Sequence, residues 1–378
     1  MTFLNVPPAF DWPAQFCTAV TVICFVLSII TSNVSQVDRL WTFLPTIYTA
    51  YYALLPLWPN HQPFPLVPYA SKSLGHAVLK DYSPRAVLML TLIIIWMFRL
   101  SYNTYRRGLF NLKDEDYRWA ILRSQVPAWF FQFTNLTFIA ATQNVLLLLL
   151  GIPTFITTVL QPHTDLVTSD YVLAAIAVGI LAFEFTADNQ QYAFQTYKHA
   201  FLAREKGDKH FASYVAEKQW PLARLDWTPS DARRGFVTKG LWRYSRHPNF
   251  ACEQSFWWVI TLFPLLASSP PNLPSFPSLS DPSIRNAALL AFFKQCGLLL
   301  LPALALSVLF VSSTIFTESI TKKKYPAAYS AYQKRVGMFV PFKAIINELS
   351  GGRAQEQIDK LVWGEFYGSN ESKNSKSD

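Results

Sequence analysis

Residues 240–253 place charged and polar side chains directly before, and partly inside, an apolar segment. The stretch reads GLWRYSRHPNFACE and contains Arg243, Arg246, His247, Asn249 and Glu253. Arginine and histidine are suited to phosphate groups, arginine through a planar bidentate fork. An asparagine followed one helical turn later by a glutamate suits an amide or ribose hydroxyls. Because polar side chains at a membrane boundary are costly, this cluster predicts a binding site for a nucleotide-like ligand.

A second polar cluster occupies residues 183–200, with the sequence FEFTADNQQYAFQTYKHA. Glu184 and Asp188 are one helical turn apart, and Tyr192 continues the same stripe. Two carboxylates near a lipid boundary are costly unless cations or donors from another helix meet them. We therefore expect the basic residues of the first motif to pair with these two carboxylates. The alternative is an ion pair between helices with no role in binding.

The elements that position these clusters are long apolar segments. The chain has 378 residues, of which 51% are hydrophobic, 16% aromatic and only 15% charged, and its mean hydropathy is positive. This composition excludes an ordinary soluble domain. A membrane-spanning helix needs about 20 apolar residues. Runs at seven places predict an all-α, polytopic membrane bundle of about seven transmembrane helices: 16–30, 40–58, 86–100, 126–160, 171–185, 253–267 and 287–316.

The distribution of charge predicts the orientation. Most of the 33 Lys and Arg residues lie in 101–125, 188–252 and 318–378. Basic segments stay in the cytosol, so the N-terminus is expected outside and the C-terminus inside. The net charge of +9 then reflects topology and attraction to the bilayer, and no nucleic-acid groove is expected. Because no cysteine or histidine pair has metal-ligand spacing, no metal site is expected.

Two further predictions concern the C-terminal third. A single transmembrane domain is expected over 1–349, with its motif core at 183–341, and the polar tail 350–378 is expected to be a disordered cytosolic segment. Tyr325, Tyr329 and Tyr332 recur at helical spacing. This spacing predicts either a lid of rings against lipid headgroups or a plain aromatic belt.

The motif GLWRYSRHPN at 240–249 resembles the signature of the steroid 5-alpha-reductase-like superfamily, in a branch of uncharacterised membrane proteins. The segments FEFTAD at 183–188, EDYRW at 115–119 and FVP at 339–341 resemble that branch as well. Characterised relatives, the steroid 5-alpha-reductases and sterol C14 and C24 reductases, bind NADPH and reduce a C=C bond of a lipid. The resemblance implies NADPH contacts at Asp188, Asn249 and Glu253, with Arg246 and His247 as further candidates. The lipid or sterol-like substrate would enter from the bilayer.

The chain departs from that branch in two ways. The pattern N-Y-F-G-E reads Asn249-Phe-Ala-Cys-Glu253, so a hydroxyl is lost at Phe250 and a side chain is added at Cys252. The Glu and Tyr of the second and third spans that resemble a proton-donating pair in steroid 5-alpha-reductases have no clear counterpart. We therefore expect Glu184, or Tyr48 in the second predicted span, to polarise the substrate. Desolvation favours the neutral, proton-donating form of a carboxyl such as that of Glu184.

Three functions are compatible with this sequence. The first is an NADPH-dependent oxidoreductase in which Asp188, Asn249 and Glu253 hold the nicotinamide end and Arg243, Arg246 and His247 take the phosphates, with Tyr192 as a further cofactor-binding residue. The second is an S-adenosylmethionine-dependent methyltransferase, since the isoprenylcysteine carboxyl methyltransferases use a similar R-H-P-x-Y motif. The third is a non-catalytic lipid-binding membrane protein. The resemblance favours the reductase, in the endoplasmic reticulum.

Overall fold

The computed structural model describes residues 6–208, 212–274, 282–350 and 353–365. These residues form helices and connecting loops without a named strand, which confirms the predicted all-α class. In chain order the α-helices are α1 Asp11–Thr31, α2 Gln36–Leu40, α3 Leu44–Ala53, α4 His76–Lys80, α5 Pro84–Arg106, α6 Tyr117–Gln125, α7 Ala128–Thr134, α8 Gln143–Leu149, α9 Ile152–Phe155, α10 Thr168–Glu205, α11 Pro229–Arg234, α12 Pro248–Leu265, α13 Pro282–Lys324, α14 Pro326–Arg335, α15 Phe342–Ser350 and α16 Arg353–Trp363. Two π-helical segments, Asn135–Thr142 and Ile156–Leu160, follow α7 and α9.

Several helices are long and apolar enough to cross a bilayer. Within the described ranges there are five such helical segments: Pro8–Thr31, Pro84–Arg106, Ala128–Leu160, Thr168–Glu205 and Leu299–Lys324. They account for five of the seven predicted apolar runs and are consistent with an integral, multi-pass membrane protein. The count of seven and the orientation of the termini stay predictions.

The other two predicted spans, 40–58 and 253–267, are not among these five helical segments. The run 40–58 does not form one continuous helix, because α3 has 10 residues and ends at Ala53. At 1.5 Å per residue it extends about 15 Å, half of a hydrocarbon core of about 30 Å. Pro56 lies in the 3-10 turn that follows, where its missing N–H prevents helix continuation. The run 253–267 lies mostly in α12, which has 18 residues.

Contacts group the chain into two compact units. The first comprises Met1–Val178 and Phe256–Val308, and the second Gly179–Ser255 and Leu309–Asp378. The single domain predicted over 1–349 stays a prediction.

In the first unit, α3 packs against α5, α8 and α9. Gly151 permits this approach, since a Cβ added there would lie 2.9 Å from the Cβ of Tyr48. Arg85 and Asp170 join the first turns of α5 and α10 through bonds of 2.7 and 3.1 Å. Both side chains are buried, and this bidentate pair satisfies charges that would otherwise be stranded near the ends of two spans.

In the second unit, α14 and α16 pack together around Tyr332, Val336 and Val362. Arg335 Nε donates to Asp359 Oδ1 at 2.8 Å. The prediction of a disordered tail is therefore wrong for 353–363, because an apolar face of α16 is buried against α14. Residues 366–378 of that tail lie outside the described residues.

The three tyrosines of the predicted lid belong to this packing. Tyr329 and Tyr332 are buried around Phe236, with ring centroids 5.0 and 5.5 Å from its ring. Burial raises the pKa of Tyr329 and of Tyr332 well above the ordinary tyrosine value. These two rings pack in the interior of the unit. The prediction of a lid and the prediction of an aromatic belt are therefore both wrong for Tyr329 and Tyr332.

Candidate functional site

The start of the motif is fixed by a glycine pressed against α10. Gly240 has φ of +65°, a conformation that favours glycine, and a Cβ there would lie 2.5 Å from Gln190 Oε1. That oxygen accepts a hydrogen bond of 2.9 Å from Leu241 N. Gln190 Nε2 donates in turn to Leu222 O at 3.0 Å. Gln190, which the sequence analysis did not select, therefore positions the motif.

The two predicted clusters meet at Asp188 and Asn249. α12 begins at Pro248, as expected for a proline in a first turn. Asn249 Nδ2 donates to Asp188 Oδ1 at 3.1 Å, and both side chains are buried. Because a carboxylate accepts only, it holds the amide nitrogen, and the amide oxygen of Asn249 faces elsewhere. Among the described residues that oxygen has no hydrogen-bond partner.

Two more carboxylates lie one helical turn from this contact. Glu184 precedes Asp188 on α10 and Glu253 follows Asn249 on α12, and both are buried. Tyr192 lies one turn beyond Asp188 and is half-buried. The arrangement places three carboxylates around one amide in a dehydrated setting, and the amide oxygen of Asn249 suits an N–H or O–H donor of a ligand.

The predicted pairing of the motif's cations with the carboxylates of α10 is wrong for Arg246. Its Nε and Nη2 donate to the two carboxylate oxygens of Glu318, at 2.6 and 3.0 Å. Its Nη1 donates to Val336 O. Glu318 lies 72 positions further along the chain, so the residues around Arg246 did not predict this partner.

The same carboxylate holds His247. His247 Nε2 lies 3.0 Å from Glu318 Oε1, and Gln333 Nε2 donates to Glu318 Oε2 at 2.8 Å. The backbone adds to this connection, since Arg246 N and His247 N donate to Gly337 O and Met338 O at 2.9 and 3.0 Å. The segment after α14 is therefore tied to the motif by backbone and side chains together.

Arg243 is the exposed cation of the motif. Its side chain is 45% accessible and lies 3.4 Å from Glu348. Its guanidinium also lies over the ring of Trp363, 4.8 Å from the centroid. A loose, solvent-accessible pair of this kind is readily exchanged for another anion.

Comparison with known proteins supports the family suggested by the motif. A family model described as "Protein of unknown function (DUF1295)" matches residues 24–273. The chain belongs to this family. DUF1295 lies within the steroid 5-alpha-reductase-like superfamily.

An alignment with one relative covers most of this chain. An uncharacterized protein of Schizosaccharomyces pombe is 30% identical over 315 residues, which are 83% of this chain and 74% of that protein. No solved structure matches the chain. The DUF1295 match includes Asp188 and Asn249 and ends before Glu318, so the partner of Arg246 lies outside the matched region.

The departure at Phe250 has a packing explanation. The ring of Phe250 stacks on His247, with centroids 5.6 Å apart and an interplanar angle of 20°. The Phe250 ring also contacts Phe310, with centroids 5.1 Å apart in an edge arrangement. A phenylalanine suits this apolar contact, and it holds the imidazole ring toward Glu318. Cys252 is half-buried on α12.

Tyr48 belongs to the first unit, on α3. It is fully buried, and its ring meets Phe16 edge-on at 5.8 Å. Among the described residues its hydroxyl has no hydrogen-bond partner. The role of Tyr48 as a proton donor stays a prediction.

Proposed function

We propose that this chain is a membrane-embedded, NADPH-dependent reductase of a C=C bond in a steroid or other lipid. The observation that supports it most is the contact between Asp188 and Asn249, which joins the two polar clusters. It leaves a buried amide oxygen that no described residue satisfies. A buried acceptor without a partner costs about 1–3 kcal/mol, and a ligand donor would recover this.

The residues fit the nicotinamide end of NADPH. Asn249 Oδ1 would accept from the carboxamide N–H groups, and Asp188 and Glu253 would accept from ribose hydroxyls. Tyr192 would complete this part of the site. At the phosphate end the fit is weaker, because Arg246 is already engaged by Glu318. His247 Nε2 also contacts Glu318, so Arg243, whose pair with Glu348 is solvent-accessible, is then the first side chain of the motif that would hold phosphate oxygens.

When bound, NADPH would supply the hydride for one carbon of the double bond. Glu184 delivers a proton to the other carbon, so that the C=C bond becomes a saturated C–C bond. The Glu184 side chain is buried, so the proton donor is held away from bulk water. Burial of Asp188, Asn249 and Glu253 keeps water from the reacting centre.

The state of Arg246 also favours a second candidate. S-adenosylmethionine carries no phosphate and therefore does not need a free arginine. Because Glu318 already pairs with the buried Arg246, the site suits S-adenosylmethionine better than NADPH in this respect. A lipid methyltransferase would use Asp188 and Glu253 for the ribose hydroxyls and the ammonium group. This alternative predicts binding of S-adenosylmethionine and none of NADPH.

Cofactor binding to the full chain in lipid nanodiscs tests the proposal. We expect NADPH to bind, and Asn249→Ala to weaken it by roughly tenfold, since one hydrogen bond of about 1.4 kcal/mol corresponds to that factor. Asn111→Ala, in an exposed loop, is the control and should bind as the wild type does. Unchanged affinity in Asn249→Ala would contradict the site. Thermal stabilisation by S-adenosylmethionine without NADPH binding would replace the reductase by the methyltransferase.

A further inference from the structure

Helix α15 turns its large apolar side chains away from the protein. Phe342, Ile345, Ile346 and Leu349 are 67%, 42%, 60% and 83% exposed. Their spacing of three and four residues places all of them on one face. A continuous exposed apolar face of this kind marks an interaction surface.

The opposite face of α15 carries the contacts with its own unit. Ala344 is buried, and its carbonyl oxygen accepts from Arg335 Nη1 at 2.8 Å. Asn347 Nδ2 donates to Arg335 O at 2.9 Å. A small and a polar residue thus face the protein while four large apolar residues face outward. This is the reverse of a helix on a soluble protein, and it requires an apolar environment outside.

We propose that α15 lies in the plane of the membrane interface, with this apolar face in the boundary between headgroups and acyl chains. The candidate span Leu299–Lys324 ends in Lys322, Lys323 and Lys324, which mark a membrane–water boundary. α15 begins 18 residues after that boundary. A short amphipathic helix with an apolar face and flanking charge binds such a boundary, inserted by about 5–10 Å.

Charge on the flanks of α15 supports a bilayer as the occupant. Lys343 is exposed beside the apolar face, and Lys334 is exposed at the end of α14. Three further lysines end α13, so five lysines lie between positions 322 and 343, and such a concentration of positive charge suits anionic headgroups. Glu348, on the other flank, lies beside Arg243.

An anchored α15 would hold part of the candidate site. The segment between α14 and α15 supplies Gly337 O and Met338 O, which accept from the backbone of Arg246 and His247. Insertion of α15 into the interface would therefore fix the depth of this segment and of the motif paired with it. The inference rests on the geometry of α15 and does not depend on the proposed reaction.

Depth measurement on the full chain in liposomes tests this inference. An environment-sensitive fluorescent amino acid is introduced at Leu349, in vesicles of phosphatidylcholine and phosphatidylserine carrying bromine on the upper acyl carbons. We expect several-fold stronger quenching there than at Gln357, an exposed position on the polar face of α16. The emission at 349 should also be blue-shifted relative to 357.

A second labelled position keeps the test decisive. Ile346 shares the apolar face, so it replaces Leu349 if that variant fails to fold. Equal quenching at 349 and 357 would place the face in water and overturn the inference. Shielding of the probe from brominated lipid, together with cross-linking between copies, would assign the face to a second copy of the chain and overturn it as well.

Discussion

The pair formed by Arg246 and Glu318 separates a structural role from a cofactor-binding role. The two side chains are only 7% and 5% exposed and are joined by bonds of 2.6 and 3.0 Å. Removing one member of a buried ion pair costs about 3–5 kcal/mol, because the other charge stays buried without compensation. Glu318→Ala leaves Val336 O as an acceptor for the guanidinium, so we expect the lower end, about 3 kcal/mol.

Replacing both charges should recover most of this loss. The double variant Arg246→Met with Glu318→Leu fills a similar volume without a charge, and such exchanges are often neutral. Unfolding of the full chain in mixed micelles, titrated with a denaturing detergent, gives the free energies. Arg243→Ala is the control: its loose pair with Glu348 is solvent-accessible, and its removal should cost less than about 1 kcal/mol.

Two results would refute this reasoning. If the double variant is as unstable as Glu318→Ala, the cost does not come from an uncompensated charge. If the stable double variant loses NADPH binding while Arg243→Ala keeps it, Arg246 is a phosphate ligand after all. Wild-type affinity in the double variant would show that Arg246 does not bind the cofactor and that its pair with Glu318 serves stability.

Three other predictions follow from the second unit. Gly240→Ala should destabilise the chain by more than about 1 kcal/mol in thermal unfolding, because a positive φ alone costs an L-residue that much and the new Cβ would lie 2.5 Å from Gln190 Oε1. Burial alone would raise the pKa of Asp231, but hydrogen bonds and charge from Lys239 outweigh burial and lower it below 3.8. The resulting stability is complete above pH 3.8 and is lost as the pH falls through the lowered pKa, so Asp231→Asn should be less sensitive to acid in denaturant titrations between neutral and about pH 3. Trp363 packs against the cluster around Tyr332, and its Nε1 donates to Thr238 O at 2.9 Å. Trp363→Ala should therefore free α16 from its unit and expose it to limited proteolysis, and unchanged digestion of this variant would contradict the packing role of Trp363.

Much of the fold and part of the site could be predicted from local sequence. Five of the seven predicted spans are helices long and apolar enough to cross a bilayer, because composition over about 20 residues decides partition into a bilayer. Pro248 marked the start of α12, and the two polar stripes contained Asp188 and Asn249, which are in contact. These features depend on neighbours within a few turns or on the cost of polar groups in lipid.

The remainder depended on partners distant in the chain. A buried arginine such as Arg246 is expected to pair with a carboxylate, but the chain contains several carboxylates. Only the packing of the helices determines that its partner is Glu318. The run 40–58 met the apolar criterion, yet prolines divide it. The sequence of α16 was interpreted as part of a polar tail, because its apolar residues are few. Their role follows only from their packing against α14.

The distance in sequence between Arg246 and its partner has a consequence for how the chain is made. Ribosomes add roughly 5–20 residues per second, so the 72 positions that separate the arginine from Glu318 take about 4–14 s to synthesise. During that interval the newly inserted segment carries a cation with no counter-ion of its own. Nascent chains that stop before the last long helix would keep this exposed charge, which makes it a feature that the cell's protein quality control can recognise.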